Sequence, residues 1–187
     1  MKKNKILAGI SALVMGATMM AGTAMSSSAA TTANIYPLAL KNNSTTSISM
    51  VQKAFTGSAA NYSGNTLTIP VQKFNHLGGT GYLKTITLYK DDDGVSGYSS
   101  GDTVYGVGEV TPELSSSVTT STLVFNNMSS TNYAIVQNNI VDAYVTYDVV
   151  LPLNITSHNH NELDFTLHSS FLTYPNTSVN LDGKAHI

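Results

Sequence analysis

Apolar and polar residues alternate with a period of two along much of this chain, which leaves little room for anything but β-structure. Leu67, Ile69 and Val71 alternate with Thr66, Thr68 and Pro70, and Val145, Tyr147, Val149 and Leu151 alternate within 142–153. Leu163, Phe165 and Leu167 repeat the pattern near the end. Successive side chains of a strand point to opposite faces, so this spacing gives each strand one apolar face. Further strands are expected over 34–41, 82–90, 103–110 and 122–126, with 142–153 the longest. Pro37 lacks an N–H and puts its strand at an edge or a bulge. Ser63-Gly64-Asn65 reads as a hairpin turn, 77–81 as a Gly-rich turn and 91–102 as a polar loop. Only 136–141 carries a weak helical period. About eight strands separated by turn signals predict an all-β fold, an antiparallel immunoglobulin-like β-sandwich, with a short 3-10 or α turn near 48–55.

Residues 1–30 are expected to be a secretory signal peptide. Lys2, Lys3 and Lys5 precede an apolar run, and Ser26-Ser27-Ser28-Ala29-Ala30 supplies small residues for cleavage. Residues 31–187 then form a single domain long enough for its own core. The chain has no cysteine, which excludes disulfides and thiol chemistry. An exported domain without disulfides relies on burial alone, as in bacterial surface proteins. Charged residues make up 11%, the net charge is −2 and there is no arginine, so nucleic acid is not an expected partner. No integral membrane segment is expected once the leader is cut. Localisation is therefore predicted as secreted, with attachment to the cell wall as a variant.

Between the first strand and the strongly alternating one lies Ser49-Met50-Val51-Gln52-Lys53-Ala54-Phe55-Thr56-Gly57-Ser58-Ala59. A hairpin loop would favour Gly, Asn and Asp, whereas small polar residues with a Met and a Phe suit a short helical lip over an apolar pocket. This segment resembles the start of a NEAT (near-iron-transporter) domain, the haem-handling sandwich of Gram-positive cell surfaces. The family's version runs roughly Ser-Met-Met-Asn-x-Tyr-Phe-x-x-Pro-Ala. Ser49, Met50, Phe55 and Ala59 fall on it without a gap, while Gln52, Ala54 and Ser58 depart from it. Residues 65–71 and 144–167 are similar to further strands of the family, and the resemblance covers about 35–168.

The resemblance implies a non-catalytic protein that binds or relays haem. It implies that Ser49 contacts a propionate and that Met50 and Phe55 wall the pocket. Haem or a haem-carrying protein would be the partner, alongside other surface proteins. The family's Tyr-x-x-x-Tyr ligand motif is missing, and Ser157 and Asn161 stand at its two positions. His158 and His160 lie one residue away from each and are the candidate haem-iron ligands, since imidazole ligates haem iron. Strict alternation opposes this. It groups Asn161 with Leu163 and Phe165 and sends His160 to the other face. The alternative is a surface adhesion or protein- or glycan-recognition module on the same sandwich that has lost haem.

Other constellations are weaker. His158 and His160 could share a divalent ion with Glu162 or His168. Residues 91–102 cluster hard oxygens, but the EF-hand spacing is not met, so a solvated hairpin tip is expected. Asp148 and Asp164 alternate against the apolar face and are expected in solvent. No hydrolase, zinc-protease or phosphate-loop motif occurs, and no catalytic residue is named.

Overall fold

The computed structural model describes residues 34–44, 47–76, 78–151 and 155–169, and at 76, 155–162 and 169 it describes the backbone alone. The expected leader at 1–30 lies outside these residues. The strands are β1 (Ile35–Lys41), β2 (Asn61–Ser63), β3 (Thr66–Gln72), β4 (Phe74–His76), β5 (Gly79–Lys90), β6 (Thr103–Thr111), β7 (Thr120–Phe125), β8 (Val141–Val150) and β9 (Ile155–Ser169). A 3-10 turn, Met50–Ala54, follows β1, and one helix, α1 (Ser130–Asn138), precedes β8. The strands pair antiparallel in the order β1-β9-β8-β5-β6-β7-β3-β2, with β4 attached to β5. The sheet curls over its own inner face, giving an all-β, sandwich-like fold. The 3-10 turn falls inside the predicted 48–55.

The alternating residues build the core. Leu67, Ile69 and Val71 of β3, Leu123 and Phe125 of β7, Val141, Ala143 and Val145 of β8 and Phe165 and Leu167 of β9 are all fully buried. The β2–β3 hairpin turns on Gly64 and Asn65, at φ 57° and 62°. Two successive left-handed residues match the turn to the twist of its strands, and Gly and Asn tolerate that conformation best. β1 stands at one end of the sheet order, as Pro37 demands.

Four expectations are corrected. First, β9 begins at Ile155 and has 15 residues, so 157–161 is strand and not turn, and β8, ending at Val150, is not the longest strand. Second, residues 130–138 are helical. Ser129 caps the helix by accepting from the Asn132 N–H at 3.1 Å. The run is poor in good helix formers, so propensity alone does not reveal it; tertiary contacts hold it. Thr166 Oγ1 donates to the Val136 carbonyl at 3.2 Å, and Asn132 Nδ2 donates to the Tyr105 carbonyl at 3.0 Å. Third, Asp164 is fully buried rather than solvated, because α1 and the turn after β1 close over the second face of β9. The Ser44 N–H donates to Asp164 Oδ2 at 3.3 Å. Fourth, β5 begins at Gly79, so 79–81 is strand rather than part of a Gly-rich turn, and it pairs with β4. The Phe74 ring of β4 lies where a Cβ on Gly81 would stand, 2.5 Å from that position, so only glycine fits there.

Candidate functional site

The lip is pinned to β1 by a buried side chain. Gln52, 9% exposed, accepts from the Ala39 N–H at 2.8 Å and donates to the Pro37 carbonyl at 3.2 Å. Its amide thereby satisfies the edge groups of β1 that the turn covers. Ser49 is the N-cap: its Oγ accepts from the Val51 N–H at 3.3 Å. Phe55 is 4% exposed and meets Phe165 edge to face at 6.1 Å, so it fills the core beneath the lip. Met50 is 40% exposed and is the apolar side chain that the lip leaves to solvent.

The candidate iron ligands lie at a register step between β8 and β9. Ala143 pairs with Leu163, but Val145 pairs with His160, so Tyr144 alone faces the two residues Asn161 and Glu162. That is a β-bulge with one extra residue on β9. Tyr147 then pairs with His158. Directly paired residues of antiparallel strands share a face. Val145 and Tyr147 are inner-face residues, 0% and 4% exposed. The step therefore gives His158 and His160 register positions on the inner face, the face of Leu163, Phe165 and Leu167. The alternation expected across 160–165 does not hold, because the bulge resets it. The side chains of both histidines lie outside the described residues.

His168 does not join them. It sits three residues beyond Phe165 on the other face, 1% exposed, with its ring stacked on Tyr36 at 5.6 Å. His168 therefore stands on the face opposite the register positions of His158 and His160, which leaves Glu162 as the other residue named for a shared ion. Glu162 lies in the bulge, and its side chain is outside the described residues.

Phe74 and Tyr147 continue the inner face below the histidine positions, with ring centroids 5.8 Å apart. Burial pushes the Tyr147 phenol above its ordinary value. The sequence reading passed over Phe74, and it named Tyr147 only in its strand's alternation and Gln52 only as a departure from the family motif. Their one signal, an aromatic or amide at an inward strand or turn position, is common to ordinary cores.

Against haem the fit divides. The register positions of His158 and His160 and the exposed Met50 suit a flat apolar ligand with an axial nitrogen. Phe55 is committed to the core, and the Ser49 hydroxyl is engaged as a cap.

On the outer face, the 91–102 loop is more ordered than a solvated tip. Asp91 Oδ1 accepts from the Gly94 N–H, Asp93 Oδ1 from the Val95 N–H and Asp102 Oδ2 from the Ser99 N–H. Tyr98 folds back on Tyr89 at 5.5 Å and on Tyr144 at 6.4 Å. The carboxylates of Asp91, Asp93 and Asp102 lie within 4.8 Å of one another. The Ser99 hydroxyl, donating to Asp93, holds that carboxyl below its ordinary range. Among the described residues no helix is long and apolar enough to cross a membrane. Comparison with family models, with curated proteins and with solved structures finds no match to this chain.

Proposed function

We propose that this chain is an exported, non-catalytic haem-binding module of the cell surface, capturing or relaying haem between the Ser49–Phe55 lip and the first half of β9. The observation that supports it is the β8–β9 register step, which sets His158 and His160 opposite Tyr147 and Val145. Bound haem would supply the iron, and His158 or His160 would hold it through its imidazole. Met50 would cover the ring edge. Gln52 keeps the lip fixed to β1. Haemin titrated into the purified protein is expected to give a saturable, sharpened and displaced Soret band. A spectrum identical to free haemin overturns the reading.

A second reading, a protein- or glycan-recognition module, is favoured by the outer-face residues Val95, Tyr98 and Val107, which are 56%, 43% and 46% exposed. Exposed apolar side chains near one another are characteristic of interaction surfaces. Pull-down of envelope or host proteins, unchanged by haemin but lost on Tyr98→Ser, would select this reading over the first.

A further inference from the structure

Charge is divided along this chain. Apart from Lys184, every lysine lies at or before Lys90, and every Asp and Glu lies at or after Asp91. Opposite charge in the two halves of a chain bears on what it associates with. The fold carries the division into space. Two lysines of β5 are neutralised locally. Lys84 is the extra residue of a bulge, since Leu83 pairs with Tyr147 and Thr85 with Thr146, and its Nζ lies 2.8 Å from Asp148 Oδ2. Lys90 pairs with Asp92. Lys41, Lys53 and Lys73 are exposed and, among the described residues, in no ion pair.

Two of these stand at the lip. Side chains three apart eclipse in a 3-10 turn, so Lys53 lies beside the exposed Met50. Lys73 follows Gln72, whose Nε2 donates to the Lys53 carbonyl at 3.3 Å. The lip therefore shows solvent a flexible apolar side chain with two lysines close by. The counterpart is the outer face. Tyr98, resting on Tyr89 and Tyr144, holds the 91–102 loop there, with Asp91, Asp92, Asp93 and Asp102. Val107 shares the row of Tyr144, because Thr87 pairs with both. Met50, Val95, Tyr98 and Val107 account for all but Val150 of the large apolar side chains exposed among the described residues. The lip covers the inner face of the sheet and the loop lies on the outer face, so one molecule cannot join its own two patches. A foreign polycation would satisfy the loop alone and a polyanion the lip alone. A second copy satisfies both.

We propose that the lip of one copy docks on the outer face of the next, with Met50 against Val95, Tyr98 and Val107, and with Lys53 and Lys73 against the aspartates of the 91–102 loop. The contact is heterologous, so copies add head to tail. It rests on the second reading of the outer face, names a second copy as its partner and is independent of haem.

The test is sedimentation velocity of the purified protein without haemin, over a concentration series at about 0.01 M and about 1 M salt, where the screening lengths are about 30 Å and about 3 Å. The sedimentation coefficient is expected to rise with concentration in low salt and to fall back toward the monomer value in high salt. K53E/K73E and V95S/V107S change exposed side chains on the two sides of the contact, and unchanged far-UV circular dichroism will show that each folds. Each is expected to weaken association at least about tenfold. Their equimolar mixture is expected to form a dimer and stop there, because one intact lip and one intact outer face remain. Association unchanged in either variant, or a mixture no more associated than its components, overturns the proposal. A monomer under every condition also overturns it, and the second reading then stands or falls on the pull-down through Tyr98.

Discussion

The two halves of β9 live in different surroundings. Residues 163–168 are flanked by β1 on one edge and β8 on the other, and every one of the six is buried. Residues 155–162 pair with β8 but run past the end of β1, so among the described residues their other edge carries no strand. In the first region every side chain is constrained on both faces. In the second, one extra residue is absorbed without breaking the pairing beyond it. A bulge is cheap at an open edge and costly in a double ladder, and bulges accordingly gather at edges and beside binding sites. The region that absorbs the extra residue is the region that carries His158 and His160.

The sharpest way to break this comparison is to remove packing from the constrained half. Phe165→Ala deletes a fully buried ring that meets Phe55, and about 3–5 kcal/mol should be lost in denaturant unfolding. A loss below about 1 kcal/mol would mean that the second half of β9 is no better packed than an exposed strand. Gln52→Ala should cost about 2 kcal/mol, because the Ala39 N–H and the Pro37 carbonyl are then buried without partners. If that variant melts like the parent, the lip is not anchored as described.

Thr166→Val should cost about 1 kcal/mol and speed amide exchange in α1, since it removes the hydroxyl that reaches the Val136 carbonyl. Unchanged exchange in 130–138 would detach α1 from the constrained half. The smallest effect is expected in the 91–102 loop. The Asp93 carboxyl is held below its ordinary value by the Ser99 hydroxyl. A depressed folded value means that the loop's stabilisation is complete above about pH 4 and fades as pH falls through the lowered value. Tyr98 resonances should therefore move toward those of a free side chain only below about pH 4, and D93N should show the loosened state at neutral pH.

Most of the sandwich is legible in the sequence because inner-face positions carry large apolar residues at a strict period of two. Leu67, Ile69 and Val71, or Val145, Tyr147 and Val149, need no tertiary information to be assigned a face. Asp164, Thr166 and His168 are illegible for the opposite reason. Polar residues opposite an apolar stripe normally meet water, and here α1 and the turn after β1 cover them. The helix is itself hard to see, since Ser129-Ser130-Thr131-Asn132 offers a cap but the following turns are poor in helix formers.

The candidate site is half legible. The lip announces itself by composition, and the 3-10 turn forms where it was expected. The face given to His158 and His160 depends on where one extra residue is absorbed. No local pattern in Ser157-His158-Asn159-His160-Asn161-Glu162 fixes that point, because a bulge is decided by the whole ladder. The same holds for Lys84, whose displacement from β5 is invisible in its neighbours' sequence.

The central proposal is that the register step gives His158 and His160 inner-face positions and that one of them ligates haem iron. Soret titrations of the parent, H158A, H160A and a variant with Asn161 deleted test it directly, because that deletion removes the extra residue and shifts every preceding position of β9 to the other face. The account predicts a displaced Soret band for the parent, its loss in one of the histidine variants and its loss in the deletion. Identical haemin spectra for the parent, both histidine variants and the deletion would contradict it.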